Sequence, residues 1–381
     1  MSSPADADVE VSDTFAYFGS SCTVSVIGAG GEGSARDAVR SARRALRGWH
    51  RRFSRFLPDS ELTAVNSDPA SELRVSPLMA RLAAAVVRAG SLTNGLVDGT
   101  QLEEIERAGY THDLETSLPL RVALRLAPPR APASPRPRRL WELIDVNLRE
   151  HTIRRPPGVE LDSGGIAKGL FADVLAERLS HHASFAVNCA GDLAIGGGQQ
   201  RVRPVHVESP FDGRVLHTFE LTRCGVATSG IGRRSWLDLG GRPAHHLLDP
   251  RTGRPAFTGV VQATAIAPSA LMAEIRAKAA LLAGPRRARA WLPDGGVIVL
   301  EDGSHETVER PLVVTLGQLS GLMTPTDNQS AQVSNAEIAR RSWGTSRDHA
   351  PGEAAATITD AARAPSTRQA SSTKRARETV V

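Results

Sequence analysis

Short apolar runs that read as strands recur along this sequence, with only a few helical patterns between them. The runs alternate in polarity or are rich in β-branched residues, and they cover residues 23–28, 141–146, 185–188, 205–208, 261–267 and 296–300. Apolar residues at helical spacing occur over 35–53, 77–91, 166–180 and 270–283. Since the strands come in groups and do not alternate strictly with helices, the pattern predicts an α+β fold.

Three segments lack such a pattern. Residues 1–13 are polar and acidic, residues 127–139 (APPRAPASPRPRR) are dense in proline and arginine, and residues 321–381 are rich in Ser, Thr, Ala and Arg. We expect disordered ends over 1–13 and 321–381. The folded domain is expected over 14–320, with 127–139 as an unstructured loop inside it.

The composition argues against several classes of function. The net charge is +5, but acidic and basic residues are interspersed and aromatic residues make up only 4%, which disfavours nucleic-acid binding. No apolar run reaches the length of a membrane span, and the polar N-terminal residues do not read as a secretory signal, so we predict a cytoplasmic protein. Cys22, Cys189 and Cys224 lie far apart in apolar runs and are expected to be buried thiols.

The stretch LDSGGIAKGL, at 161–170, raises the question of why a lysine stands here. Lysine occurs only at Lys168, Lys278 and Lys374, and all other basic residues are arginine apart from histidine. A glycine turn that leads into a helix offers backbone N–H groups to a phosphate, and a lysine adds a compact point charge. The glycine spacing and Gly169 differ from the nucleotide-kinase loop. The alternative is an ordinary helix, capped by Asp162 or Ser163, with a solvated lysine.

Five other stretches accompany this one in a fixed order. They are FSRFLPDSELTAVN (53–66), NGLVDGT (94–100), NCAGDLAIGG (188–197), GVATSG (225–230) and AHHLLDPRTG (244–253). Together the six motifs resemble the FAD:protein FMN transferases, also called ApbE-type flavin transferases, over roughly residues 15–300. The resemblance implies mixed, largely antiparallel sheets flanked by helices, with an FAD cleft between two intertwined portions. It also implies Mg²⁺ at the pyrophosphate of FAD.

The resemblance assigns roles residue by residue. It implies FAD contacts for the residues that match the family motifs, which are Phe18, Phe56, Leu96, Val97, Asp98, Asp162, Lys168 and Leu247. Gly165 matches the position whose carbonyl oxygen contacts the metal. His246 matches the histidine of the family's HIIDP-like motif, with Asp249, Thr252 and Gly253 completing that loop, and it is a candidate catalytic base because histidine titrates near neutral pH.

The sequence departs from the family at the rest of the metal site. In LMAEIRAKAALLAG (271–284), Glu274 stands at the family's metal-binding aspartate and Lys278 at its threonine, so both are catalytic candidates of changed chemistry. One hypothesis is that the Lys278 ammonium replaces part or all of the metal, since a unit charge 4 Å from a phosphate is worth about 4 kcal/mol at an effective dielectric of 20. The alternative is an ordinary Glu–Lys helix pair, worth about 0.2–0.5 kcal/mol. Mg²⁺ is therefore in doubt.

Three functions remain open at this level. The first is transfer of FMN from FAD to a threonine or serine of an acceptor protein domain, with release of AMP. The second is an FAD-binding protein without transferase activity, because the change at Glu274 and Lys278 could abolish turnover and leave binding. The third is an FAD pyrophosphohydrolase, in which water replaces the acceptor hydroxyl. The sequence does not identify the acceptor.

Overall fold

In the computed structural model, which describes residues 9–114 and 116–310, seventeen strands and eight helices form. The strands are β1 (Glu10–Tyr17), β2 (Ser20–Ile27), β3 (Glu72–Arg74), β4 (Asp145–Asn147), β5 (Thr152–Arg154), β6 (Ser184–Cys189), β7 (Asp192–Gly196), β8 (Arg203–Glu208), β9 (Val215–Leu221), β10 (Cys224–Gly230), β11 (Ser235–Leu237), β12 (Pro243–His245), β13 (Leu248–Asp249), β14 (Arg254–Pro255), β15 (Val260–Ala267), β16 (Gly296–Leu300) and β17 (His305–Val308). The helices are α1 (Ala35–Arg52), α2 (Glu61–Ser67), α3 (Pro77–Leu92), α4 (Leu102–Arg107), α5 (Leu120–Leu126), α6 (Ala167–Leu179), α7 (Ala270–Ala283) and α8 (Pro285–Ala288).

An eight-stranded sheet organises the fold, in the order β1-β2-β6-β7-β10-β15-β16-β17. Every neighbouring pair in it is antiparallel. Smaller sheets, β3-β5-β4, β8-β9, β11-β12 and β13-β14, complete the strand content of the described residues. The α+β fold with largely antiparallel sheets is thus confirmed.

Three helices pack on the large sheet. α1 lies against β1 and β2, α6 against β6 and β7, and α7 against β10 and β15, and α6 contacts both other helices. α1 forms where predicted because its apolar positions, Val39, Ala42, Leu46 and Trp49, recur on one face and are all buried. Ser34 caps it by accepting a hydrogen bond from the backbone N–H of Asp37.

α6 and α7 approach each other closely, and a carboxylate of each helix accepts hydrogen bonds from backbone N–H groups at the start of the other. A Cβ on Gly169 would lie 2.7 Å from the carbonyl oxygen of Ala270, so this contact requires glycine. The Asp173 carboxylate of α6 accepts from the N–H groups of Ala270 and Leu271 at the start of α7 (2.7 and 3.0 Å). In return, Glu274 of α7 accepts from Gly169 N–H in the first turn of α6 (2.9 Å). The two helices therefore fix each other's position at their N-terminal ends.

Several local predictions were wrong. Residues 10–13, which were expected to be disordered, belong to β1. They are extended because they pair with β2, a strand whose alternating polarity was recognised in the sequence. Residues 141–146 are not one strand: a 3-10 turn spans Leu140–Leu143, because Trp141 packs against Gly90 of α3, and only β4 is extended. The alternative of a helix capped by Asp162 or Ser163 does not hold either, because the N-cap residue of α6 is Ile166, which has no side-chain cap hydrogen bond.

The segment 127–139 has no helix or strand, as predicted, but it is held in place. Ala131 N–H donates to the carbonyl of Phe257 (3.1 Å), Ala133 N–H to that of Leu282 (2.9 Å), and Ser134 N–H to the Asp249 carboxylate (2.8 Å). Proline removes backbone donors, so the segment forms no ladder and uses its remaining N–H groups individually. It is an ordered loop and not an unstructured one.

The described residues form a single compact unit around one large apolar core, with a smaller cluster around Tyr110 and Trp236. Cys22, Cys189 and Cys224 are buried free thiols, as expected. Among the described residues, no helix combines the length and apolarity needed to cross a bilayer. Residues 1–8 and 311–381 lie outside the described residues. The rest of the predicted disordered ends and the domain boundary at 320 fall there.

Candidate functional site

Two adjacent cavities lie on either side of the segment 162–168. The first, here the His246 cavity, has a volume of about 470 Å³ and is lined by Leu96, Val97, Asp98, Gly99, Gln101, Ile105, Asp162, Gly165, Ile166, His246, Leu247, Leu248, Lys278 and Leu282. The second, here the Phe18 cavity, has a volume of about 640 Å³ and is lined by Phe18, Gly19, His50, Phe53, Ser54, Arg55, Phe56, Tyr110, Asp113, Ser163, Gly164, Ala167, Lys168, Phe171 and Arg234. The segment 162–168 contributes residues to both.

That segment is held by hydrogen bonds to other parts of the chain. Asp162 N–H donates to the carbonyl of Gly99 (2.9 Å), and the Ser163 hydroxyl donates to the carbonyl of Phe53 (2.8 Å). The Asp162 carboxylate accepts from Gly164 N–H (3.0 Å), which closes the glycine turn. The turn is therefore fixed before α6 begins, with Gly165 facing one cavity and Gly164 the other.

Four charged side chains meet beneath this turn, and we call them the four-charge cluster: Lys168, Asp192, Glu274 and Lys278. The Lys168 ammonium donates to Asp192 Oδ2 and to Glu274 Oε1 (2.8 Å to the latter). The Lys278 ammonium donates to the same Oε1 (3.0 Å). Asp192 and Glu274 are each only 1% exposed. Two cations that border the cavities thus face two buried carboxylates, and the formal charges balance.

Burial and mutual attraction shift the pKa values within the cluster. Burial would raise the pKa of Glu274, but the ammonium groups of Lys168 and Lys278 outweigh it and lower this pKa to about 2. Burial, followed by the charge of Glu274, raises the pKa of Asp192 to about 7. The carboxylate that bridges both lysines is therefore the more firmly ionised of the two.

The residues at the predicted metal position do not fit a magnesium ion. Mg²⁺ requires oxygen ligands in octahedral geometry, yet Oε1 of Glu274 accepts from two ammonium groups and Oε2 from Gly169 N–H. A Cβ built on Gly165 would lie 3.6 Å from Cε of Lys278, so a cationic side chain already lies against the Gly165 backbone. Within 9–114 and 116–310, no group of three or more His, Cys, Asp or Glu side chains could hold a metal ion.

His246 follows directly after β12 and lines the His246 cavity together with Lys278. Its Nδ1 lies 3.4 Å from the carbonyl oxygen of Arg234, a contact in which Nδ1 carries the proton and Nε2 is left as an acceptor. Burial first, then the charge of Arg234, lowers the pKa of His246 well below its usual value. The side chain is therefore neutral near pH 7, with Nε2 unprotonated.

Phe18 and Gly19 form the two-residue turn between β1 and β2, and both have positive φ (56° and 68°). This hairpin turn favours Asn-Gly, so phenylalanine at its first position is strained. The ring packs on Phe171 at a centroid distance of 5.4 Å, and the Phe18 carbonyl accepts from Arg234 (2.6 Å). These contacts hold an aromatic side chain at the edge of the Phe18 cavity.

The same cavity is also lined by a stack of aromatic rings and a guanidinium. The Arg55 guanidinium lies 4.7 Å from the Phe56 ring centroid and 4.4 Å from that of Tyr110, which in turn stacks on Trp236 at 5.1 Å. Nη1 and Nη2 of Arg55 are buried without a hydrogen-bond partner in the described part of the chain. The sequence motif pointed to Phe56, but Arg55 and Tyr110 were missed, because no local pattern shows that 55 and 110 meet.

Asp98 lines the His246 cavity, but its carboxylate is fully engaged by protein groups. Oδ1 accepts from the Thr100 N–H (2.9 Å) and hydroxyl (2.5 Å), and Oδ2 accepts from Arg136 Nε (3.0 Å). Arg136 also donates to the carbonyl of Thr100 (3.0 Å) and pairs with Glu104 (3.4 Å). Asp98 thus anchors the loop 127–139 beside the cavity, and its FAD contact stays a prediction.

The structure brings the predicted site residues into one region. Phe18, Phe56 and Lys168 line the Phe18 cavity, and the others line the His246 cavity, except Glu274, which lies buried beneath both lysines. Asp192 stood in a quoted motif without an assigned role, and Asp173 and Arg136 were not singled out. These residues are polar, so the sequence does not indicate that they are buried. Their burial depends on which segments pack together in the fold.

A known protein family matches most of this chain. The model of the ApbE family matches residues 18–300. The FAD:protein FMN transferase of Salmonella typhimurium is 28% identical over 231 residues, an alignment that covers 58% of this chain and 64% of that protein, which is less than two thirds of its length. The corresponding protein of Escherichia coli K12 is 26% identical over 254 residues, covering 65% and 71%.

Among solved structures, the ApbE protein of Thermotoga maritima superposes with a TM-score of 0.63 at 23% identity, covering 79% of this chain and 97% of that one. At this identity the likeness shows the fold. Since the family model matches most of the chain, including every residue of the two cavities, this protein belongs to the ApbE family.

Proposed function

We propose that this protein transfers FMN from FAD to a threonine or serine hydroxyl of an acceptor protein domain and releases AMP. The observation that carries the proposal is that the eight residues matching FAD contacts in the family line two adjacent cavities on either side of one glycine turn. Relatives of this chain bear the name FAD:protein FMN transferase. An extended dinucleotide suits two adjacent cavities, one rich in aromatic rings and the other with Lys278 and His246 in its wall.

The reaction needs one bond to form and one to break. The acceptor hydroxyl oxygen forms a bond to the FMN phosphorus, the bridging P–O bond to the AMP phosphate breaks, and AMP leaves with the electron pair. The hydroxyl proton passes to Nε2 of His246, which its lowered pKa keeps free at neutral pH. His246 later returns this proton to solvent.

Charge on the phosphoryl group is the main electrostatic demand of this chemistry. Lys168 and Lys278 bracket the glycine turn, and both are held by Glu274, so their positions are set before substrate arrives. Such preorganisation supports transfer because it requires no rearrangement of protein dipoles during the reaction.

A specific feature favours a second candidate, FAD binding without transfer. The pair Glu274 and Lys278 lacks the free oxygen ligands that a catalytic metal requires. In that case the cavities hold FAD intact. Hydrolysis of FAD to FMN and AMP uses the same site, with water as the nucleophile.

Mass spectrometry separates these functions. The purified chain is incubated with FAD, with and without Mg²⁺, and with a candidate acceptor domain that carries a Ser/Thr flavinylation motif. An FMN adduct on the acceptor supports transfer, free FMN plus AMP supports hydrolysis, and unchanged bound FAD supports binding alone. His246→Gln should abolish the adduct and retain FAD, whereas His206→Gln, an exposed histidine of β8, should leave transfer unchanged. The use of an acceptor domain with a Ser/Thr motif and the cytoplasmic location stay predictions.

A further inference from the structure

Lys278 has hydrogen-bonding capacity that the protein does not use. An ammonium group has three N–H donors, and in the described part of the chain Lys278 donates only to Glu274 Oε1, at 3.0 Å. The residue is 7% exposed and lines the His246 cavity. A buried N–H without an acceptor is costly, so the cavity favours a ligand that brings an oxygen, above all an anionic one.

Lys168 differs from Lys278 in this respect. Its ammonium is already shared between two carboxylates, Asp192 and Glu274. Lys278 has only a share of Glu274, whose second oxygen is taken by Gly169 N–H. Of the two lysines, Lys278 is therefore the one with charge and donors left for a ligand.

The position of the ammonium indicates which part of a ligand it meets. Lys278 lies against the backbone of Gly165, in the glycine turn that separates the two cavities. A dinucleotide that fills both cavities has its pyrophosphate at the turn between them. The anionic oxygen nearest to Lys278 would then belong to that pyrophosphate.

We propose that Lys278 is a built-in cation for the pyrophosphate, so that this protein binds FAD without a divalent metal ion. The inference rests on the proposed function, since it assumes that FAD is the ligand. Glu274 is a positioning residue in this arrangement: it is one helical turn from Lys278 and holds both lysines while accepting from the first turn of α6. In an ordinary exposed Glu–Lys helix pair, the glutamate has no further partners such as Lys168 and the Gly169 N–H.

The first experiment compares wild-type protein in EDTA and in millimolar MgCl₂, with FAD affinity measured by flavin fluorescence and by calorimetry. We expect the two dissociation constants to agree within about twofold, because the charge that binds phosphate is part of the chain. An affinity that falls tenfold or more in EDTA overturns the proposal. This comparison needs no variant, so it holds even if a substitution impairs folding.

The second experiment removes the charge. Lys278→Met keeps the length of the side chain and should weaken FAD binding by about 10- to 100-fold in both buffers, as expected for loss of a hydrogen bond to a charged group. Arg276→Met is the matched control: it removes a cation from the same helix, but one that pairs with Asp294 and lines neither cavity. Wild-type affinity in folded Lys278→Met, checked by circular dichroism, overturns the proposal.

A third variant tests the exchange of lysine for metal. Glu274→Asp with Lys278→Thr restores free oxygen ligands at positions i and i+4, and it should bind FAD weakly in EDTA and more tightly with Mg²⁺. Magnesium-independent, wild-type affinity in this variant contradicts the role of Lys278. If wild-type protein binds no FAD in either buffer, the proposed function itself fails. That outcome differs from tight but magnesium-dependent binding, which overturns only the metal-free inference.

Discussion

The two cavities use different cations in different surroundings. The His246 cavity has Lys278 in its wall, above a carboxylate that is 1% exposed, and its charges are neutralised by partners buried beneath it. The Phe18 cavity has Arg55 and Arg234 in its wall besides Lys168, and Arg55 lies on aromatic rings instead of on a carboxylate. Both cavities border the four-charge cluster, and the Phe18 cavity adds a guanidinium that stacks on aromatic rings.

This difference explains why a chain so poor in lysine has two of them here. An ammonium is a compact point charge with three donors, and it fits between carboxylate oxygens in a closed space. A guanidinium is planar, delocalised and more weakly hydrated, so it stacks well on the rings of Phe56 and Tyr110. The prediction that a lysine marks a special site thus agrees with where Lys168 and Lys278 lie.

The largest effect is expected from breaking the four-charge cluster. Glu274→Gln keeps the shape of the side chain but leaves Lys168 and Lys278 with only the Asp192 carboxylate between them, and it should lower the free energy of unfolding by about 3–5 kcal/mol. Urea denaturation followed by circular dichroism measures the change. The double variant Glu274→Gln/Lys278→Met should be less destabilised than the sum of the single variants, because it removes one charge of each sign.

The buried His245, which precedes His246, should have an effect of intermediate size on stability. Burial lowers the pKa of His245 to about 3, so between pH 6.5 and 3 only the unfolded chain takes up its proton, and the contribution of His245 to stability falls as the pH falls through that window. From pH 6.5 to pH ~5 the loss should be about 2 kcal/mol. His245→Gln should remove this contribution, which urea denaturation measures as the difference between the unfolding free energies of variant and wild type at each pH. His206→Gln, whose side chain is exposed, should leave the curve as in wild type.

The Phe18 cavity should respond in binding more than in stability. Phe56 is only partly buried and meets Tyr110 edge to face at 5.5 Å, so Phe56→Ala should cost about 1–2 kcal/mol of unfolding free energy. FAD affinity should fall about tenfold, since a stacking surface is removed. If Phe56→Ala lowered the free energy of unfolding by the ~3–5 kcal/mol expected for Glu274→Gln, the contrast between the two cavities would be wrong.

The smallest effect on stability is expected for an exposed ion pair that has the same i, i+4 spacing as Glu274 and Lys278. Glu103 and Arg107 also pair at i and i+4, at 2.5 Å, but their side chains are 76% and 63% exposed. Arg107→Ala should change the free energy of unfolding by only about 0.2–0.5 kcal/mol in the same denaturation assay. A loss above 1 kcal/mol would show that burial is not what separates the two pairs.

The helices that carry the site were predictable to within a few residues. α1, α6 and α7 were expected over 35–53, 166–180 and 270–283, because their apolar residues repeat at helical spacing over long stretches. Residues 141–146 were mistaken for a strand, since a short apolar run does not distinguish a strand from a turn that buries Trp141. β1 was not predicted as a strand. Its polar residues face outward, and the strand is stabilised by pairing with β2, which the local sequence does not reveal.

The candidate site was predictable as a set of residues but not as a set of contacts. The motif order brought Asp162, Lys168, His246, Glu274 and Lys278 together, and the change of chemistry at 274 and 278 was visible in the sequence. That Glu274 bridges both lysines and caps α6 was not visible, because the bridge joins residues about a hundred positions apart. Arg136 illustrates the same limit, since its loop read as unstructured.

By itself, the sequence determined the α+β class, the positions of the main helices, the family resemblance and the unusual lysines, because these depend on local periodicity and on residue identity. Only the tertiary structure decided which charges are buried together and which donors remain free. Burial and pairing depend on segments that are distant in the chain, and in a closed environment they set the charge state and binding capacity of each group. For Lys278, this makes the difference between a surface helix pair and a cation that faces a cavity.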